Sequence, residues 1–182
     1  MALYKVRRIV TGHDTQGRAV VVEDGEATNV VASPARPDAG LTNLWLTDAS
    51  PADCSAADPM AGAPRGLLPP AGGTIFRFFQ IPPGDVRGEA PSEETREATR
   101  AAFAAMGATS QHDDTARHAA MHKTQTVDYI MLLKGEVTLI LDADERDLQP
   151  LDVVIQRGTN HAWANYGKEH AVLMAVLVDR TL

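Results

Sequence analysis

The stretch from His122 to Asn165, HKTQTVDYIMLLKGEVTLILDADERDLQPLDVVIQRGTNHAWAN, constrains the fold more than any other part of the chain. Side chains alternate across an extended strand, so His122, Thr124, Asp128, Ile130 and Leu132 share one face while Val127, Tyr129, Met131 and Leu133 take the other. Both faces are largely apolar, which predicts a strand covered on both sides, and one face also carries a histidine and an acid. Lys134-Gly135 supplies a turn, and the β-branched run from Glu136 to Leu141 reads as the return strand of a hairpin. The second half repeats the pattern. Gln149-Pro150-Leu151-Asp152 turns into the strand Val153-Val154-Ile155, the chain breaks at Gly158, and a polar strand then puts His161, Trp163 and Asn165 on one parity. Two histidine-bearing hairpins stacked as layers of one barrel bring His122 and His161 together inside.

These two segments resemble the paired motifs of the cupin superfamily, whose fold is a small jelly-roll barrel. The first cupin motif runs from a histidine to a second histidine two residues on, a glutamate four further and a glycine seven after that. His122, Thr124, Asp128 and Gly135 stand at those positions. The second motif runs from a proline-glycine turn to a histidine and an asparagine four later; Gln156 stands where proline is usual, and Gly158, His161 and Asn165 fit. The match covers residues 118–178, and the opening RRIVTGHDTQGRAVVV is similar to that of a group of small stand-alone cupins. The resemblance implies an all-β double-stranded β-helix with one short peripheral helix. It implies a single domain over 1–182, with N-terminal strands and a loop in 1–81, a loop and helix in 82–117, and the barrel motifs in 118–178. It also implies a metal site made of the first motif's histidines and acid with the second motif's histidine. Here Thr124 replaces one ligand and Asp128 reaches one methylene less far than glutamate, leaving His122 and His161 as the two good ligands.

The remaining sequence fills in around this frame. At 182 residues the chain is one domain by length, and 17 Lys and Arg against 24 Asp and Glu give a balance of −7. That balance argues against a nucleic-acid or anionic-membrane surface and for a small-molecule partner. Cys54 is alone, which excludes an internal disulfide, and no apolar run near the start suits a signal or a membrane span, so a cytoplasmic location is expected. Tyr4 to Val10 and Arg18 to Glu23 read as a hairpin, Val30-Val31 extends it, and Thr42 to Thr47 and Thr74 to Ile81 read as further strands. In the resembling proteins such leading strands pack on a second subunit, which makes a homodimer the expectation. Residues 48–73, rich in Ala, Pro, Gly and Asp, read as loop. Ser92 to Met106 is the one convincing helix, capped by Ser92, with Glu93 and Glu94 in its first turn and Gly107 closing it. Its thin stripe of Ala98, Ala102, Ala105 and Met106 predicts a weakly held surface helix over a barrel edge, with a lid over the barrel mouth as the other reading.

The loop QHDDTARHAAMH brings His112, Asp113, Asp114 and His118 close to His122 in sequence. An extended chain would hold His118 and His122 roughly 13 Å apart, so only a bent loop lets His118 supply what Thr124 cannot. The candidate metal ligands are therefore His122, His161, Asp128 and His118, for a divalent iron, manganese, nickel or zinc ion. Asp128, on a face shared with Ile130 and Leu132, is costly to bury unless it meets a cation, a donor or a proton, which fits a ligand or a general base. With His122 and His161 it makes the candidate catalytic set. Trp163, Asn165 and Gln125 are candidate substrate contacts, Arg157 a candidate anion contact, and Tyr129 packing. Two classes of function fit these residues. One is a metal-dependent dioxygenase, decarboxylase, isomerase or lyase acting on a small organic acid or carbonyl compound; the other is a metal-free barrel that binds a small ligand or acts as an acid-base isomerase.

Overall fold

The computed structural model describes residues 3–34, 36–53, 58–60, 62, 66–113 and 115–180; Cys54 and Asp114 lie outside them. Eleven strands run in chain order as β1 (Arg7–His13), β2 (Ala19–Glu26), β3 (Val30–Ala32), β4 (Gly40–Thr47), β5 (Thr74–Ile81), β6 (Thr126–Lys134), β7 (Val137–Leu141), β8 (Glu145–Leu148), β9 (Val153–Gln156), β10 (His161–Ala164) and β11 (Ala171–Asp179). Among the described residues one α-helix, α1 (Glu93–Ala105), and a short 3-10 helix at Thr109–Gln111 sit between β5 and β6. The strands form a six-stranded sheet in the order β3-β4-β5-β11-β6-β9, a three-stranded sheet in the order β10-β7-β8, and the separate pair β1-β2. The expected hairpin at the start of the chain, the strands at Thr42 to Thr47 and Thr74 to Ile81, and the helix all form. Ser92 caps α1 by accepting from Thr95 N at 3.2 Å.

The two central hairpins do not. β6 pairs with β11 and β9, whereas β7 pairs with β10 and β8, so Lys134-Gly135 carries the chain from one sheet to the other instead of folding it back. β8 to β9, β9 to β10 and β10 to β11 cross in the same way. This winding is a double-stranded β-helix. A turn signal between two apolar runs is common to a hairpin and a crossover, which is why local sequence could not separate them. The inner face holds the core: Ile75, Ile130, Leu132, Val137, Leu148, Leu173 and Leu177 are buried between the sheets, with Trp163 and Phe79 packed against them.

The parity of β6 is as expected, with Thr126, Asp128, Ile130 and Leu132 buried. Its other face is only partly covered. Tyr129 is 49% exposed, and its neighbours on β9, Val153 and Ile155, are also open, because β9 is the sheet edge. The outer face of β5 is covered, by Val6, Ala27 and Leu44 over Phe76 and Phe78.

Gly135 has φ +79°, and a Cβ there would come 2.6 Å from His170 O and 2.9 Å from Ala171 Cα. The crossover therefore needs glycine for both conformation and space. Gly135→Ala is expected to cost more than about 2 kcal/mol in urea denaturation. Gly17→Ala, at φ +77° with nothing within 4 Å, should cost only about 1 kcal/mol.

Candidate functional site

The site is built where the segment before β6 meets the start of β10. His122 and His161 exchange two backbone hydrogen bonds, each 2.9 Å, as an antiparallel bridge. That close pairing sets their imidazoles side by side, with ring centroids 4.3 Å apart. Each ring is oriented by its own chain: His122 Nδ1 meets Ala120 O at 2.9 Å, and His161 Nδ1 meets Thr159 O at 3.0 Å. A carbonyl oxygen only accepts, so both Nδ1 atoms carry the proton and both Nε2 atoms are left as lone pairs. Burial holds the pKa of both rings below the ordinary imidazole value, to about 3 for His161, where the neighbouring His122 charge adds to the effect. The pair is neutral at neutral pH.

His122 opens onto a cleft of about 1330 Å³ between α1 and the barrel, while His161 lies behind it at 2% exposure. Trp163 forms another part of the cleft wall, edge-on to His161 at 5.8 Å and tilted to Phe79 at 6.2 Å. The helix lines this cleft along one side. Its one buried residue is Phe103, which stacks on His112 at 4.6 Å and leans on the His122 ring at 5.1 Å. A single phenylalanine in an Ala-rich helix was the signal that marks the docking face.

The expected four-ligand metal set is not assembled. Among the described residues no group of three or more His, Cys, Asp and Glu side chains converges to hold an ion. His118 accepts from Ala120 N at Nδ1 and turns Nε2 towards Asp85 at 3.9 Å. His112 gives its Nε2 proton to Ala119 O at 2.7 Å. Thr124 is hydrogen-bonded to Thr126 at 2.7 Å and is buried. Two imidazoles remain, which does not fit a resident divalent ion needing at least three protein ligands.

Asp128 belongs to a separate buried cluster. It takes a hydrogen bond from Thr126 and the field of Arg77 and Arg180, yet burial outweighs these and pushes its carboxyl up to about 6. Its Oδ1 makes no hydrogen bond, nor do Arg77 Nε and Nη1 or Arg180 Nε. Arg77, 2% exposed, holds Gly66 O at 3.2 Å through Nη2, and burial lowers its pKa to about 10. The strand TIFRFFQI carried the signal, since Arg77 shares parity with Ile75 on the buried face. The other candidate contacts are dispersed. Asn165 is fully buried, donating to Ile81 O and Glu169 O and accepting from Gly167 N, so it ties the turn after β10 to the end of β5. Gln125 and Arg157 point to solvent, outside the cleft.

No protein-family model matches the chain. It is similar to phomopsin biosynthesis cluster protein D of Diaporthe leptostromiformis, 29% identical over 168 residues that make up 87% of this chain and 69% of that protein. The cupin-domain-containing oxidoreductase srdD of Neurospora crassa is 38% identical over 63 residues, 32% of each chain. Among solved structures, the Cnp3 cupin domain of Schizosaccharomyces pombe covers 97% of this chain and 90% of its own at 12% identity, with a TM-score of 0.47. The winding of consecutive strands from sheet to sheet gives this chain a cupin-type double-stranded β-helix fold, and 63 of its residues align with a cupin-domain protein.

Proposed function

We propose that the chain is a small-molecule-acting cupin of a biosynthetic pathway, working without metal through His122 as a neutral base. The observation that carries this reading is the orientation of the two rings, each with its Nδ1 proton donated to a carbonyl and its Nε2 lone pair unspent. His122 faces the cleft, so it can take a proton from a bound hydroxyl or an activated C–H and return it at another position. His161 stays unprotonated far below neutrality, so a proton taken from the substrate is held on His122 and not passed to its neighbour. The reaction class is isomerisation or elimination. The name of the phomopsin cluster relative supports a biosynthetic setting. The partly uncovered apolar face of β6 and β9 supports a homodimer.

A metal-dependent oxidoreductase is the second reading, favoured by the two adjacent Nε2 lone pairs and by the name of the Neurospora crassa relative. Elemental analysis of untagged protein, with His122→Ala and His161→Ala alongside, separates the two. The expected result is substoichiometric metal in all three proteins and no change in melting temperature with chelator. Near-stoichiometric iron, manganese, nickel or zinc that disappears in both variants overturns the metal-free reading.

A further inference from the structure

Resting on His122 as the working group, we infer that the cleft takes an uncharged ligand with a long apolar body and a hydrogen-bond donor at one end, and not a small organic acid. Three independent features of the cleft converge on this. The first is size. At about 1330 Å³ it exceeds the ~300–1,000 Å³ usual for a drug-sized ligand, so a small acid would leave most of its apolar wall wet. The wall includes small side chains of α1, Ala98 and Ala102, and the large apolar groups Phe79, Ile140 and Trp163. Burying an extended apolar body against them supplies affinity in proportion to its length.

The second feature is charge. The described arginines that line the cleft are engaged: Arg36 donates to Pro83 O at 3.1 Å, Arg96 to Ala116 O at 3.1 Å, and Arg117 pairs with Glu145. Asp85, Glu89 and Glu94 line the same space. A carboxylate entering here meets Asp85, Glu89, Glu94 and Glu145, with Arg117 already paired to Glu145 and Arg36 3.7 Å from Asp38, so the acids oppose its entry and raise the cost of losing its hydration. The third is polarity at the inner end. His122 offers an Nε2 lone pair and no donor to the cleft, because its proton is spent on Ala120 O. An acceptor-only head, such as a carboxylate, has nothing to bond there, whereas a hydroxyl, enol or amide N–H does.

Isothermal titration of the wild-type protein with octanamide, octanoate and acetamide tests this directly. Octanamide is expected to bind at least about tenfold more tightly than octanoate, and acetamide not to bind measurably. Ala102→Trp, which crowds the cleft, should abolish octanamide binding while leaving the His122 imidazole resonances in place; Ala98→Trp serves if that variant does not fold. His122→Ala should shrink the preference for amide over carboxylate by at least about fivefold. Octanoate binding as tightly as octanamide, or acetamide binding as tightly as octanamide, overturns the inference. These readouts need no turnover, so stoichiometric metal in the wild type would sink the metal-free mechanism and leave the ligand preference still measurable.

Discussion

His161→Phe is expected to remove about 3 kcal/mol of the stability that this protein loses between pH 7 and pH 4. In the native state His161 does not protonate until about pH 3, because burial and the His122 ring oppose the charge, whereas the unfolded chain protonates from 6.5 downward. A depressed histidine therefore costs nothing above pH 6.5 and destabilises progressively as pH falls. At about 1.4 kcal/mol per pH unit the cost between 6.5 and 4 is about 3 kcal/mol. That is a large share of the ~5–15 kcal/mol that holds a typical domain together. Phenylalanine keeps the ring volume and does not titrate. Urea midpoints for both proteins at pH 7 and pH 4 give the comparison, and equal acid losses would show that the imidazole reaches solvent.

Asp128→Asn is expected to stabilise the protein at pH 8 by about 3 kcal/mol and to change little at pH 4. The sign is opposite to that for His161. A buried carboxyl raised to about 6 binds its proton in the native state well before the unfolded chain does at 3.8. Its contribution is full below 3.8 and is lost as pH rises through 6. Asparagine is neutral throughout and keeps what the ionised aspartate forfeits. The competing outcome is also informative. If Asp128→Asn is less stable at pH 8, then Arg77 and Arg180 depend on the carboxylate charge more than burial penalises it, and the cluster is a true ion network. Denaturation at the two pH values decides between them.

The two predictions also show what could be read from the chain beforehand. Parity alone placed Asp128 on the buried face of β6 and required it to meet a cation, a donor or a proton, and all three are present as Arg77, Thr126 and its raised pKa. The pairing of His122 with His161 was legible from motif spacing. Their partners were not, because a ligand set is a property of several strands at once: Thr124 and His118 bond locally, and Asp128 sits in a separate cluster with Arg77 and Arg180. Arg77 and Phe103 lie far in sequence from the motifs, and only the sheet order and the position of α1 bring them to the barrel. Asn165 had the simplest reading available, turn chemistry, and two of its side-chain hydrogen bonds go there, to Glu169 O and Gly167 N, while the third reaches Ile81 O at the end of β5.

The crossing of the chain between sheets has a kinetic consequence. Apart from β7 with β8, no strand from β6 onward pairs with the next one in sequence, so this half of the molecule cannot zip up from turns outward. Each pairing closes a long loop and pays its entropy before any contact repays it, which makes for slow, concerted folding. The bridge between His122 and His161 spans 39 residues (161 − 122) and needs both sheets in place. The imidazole pair is thus a product of the finished fold, and a partly folded chain of this kind does not have it.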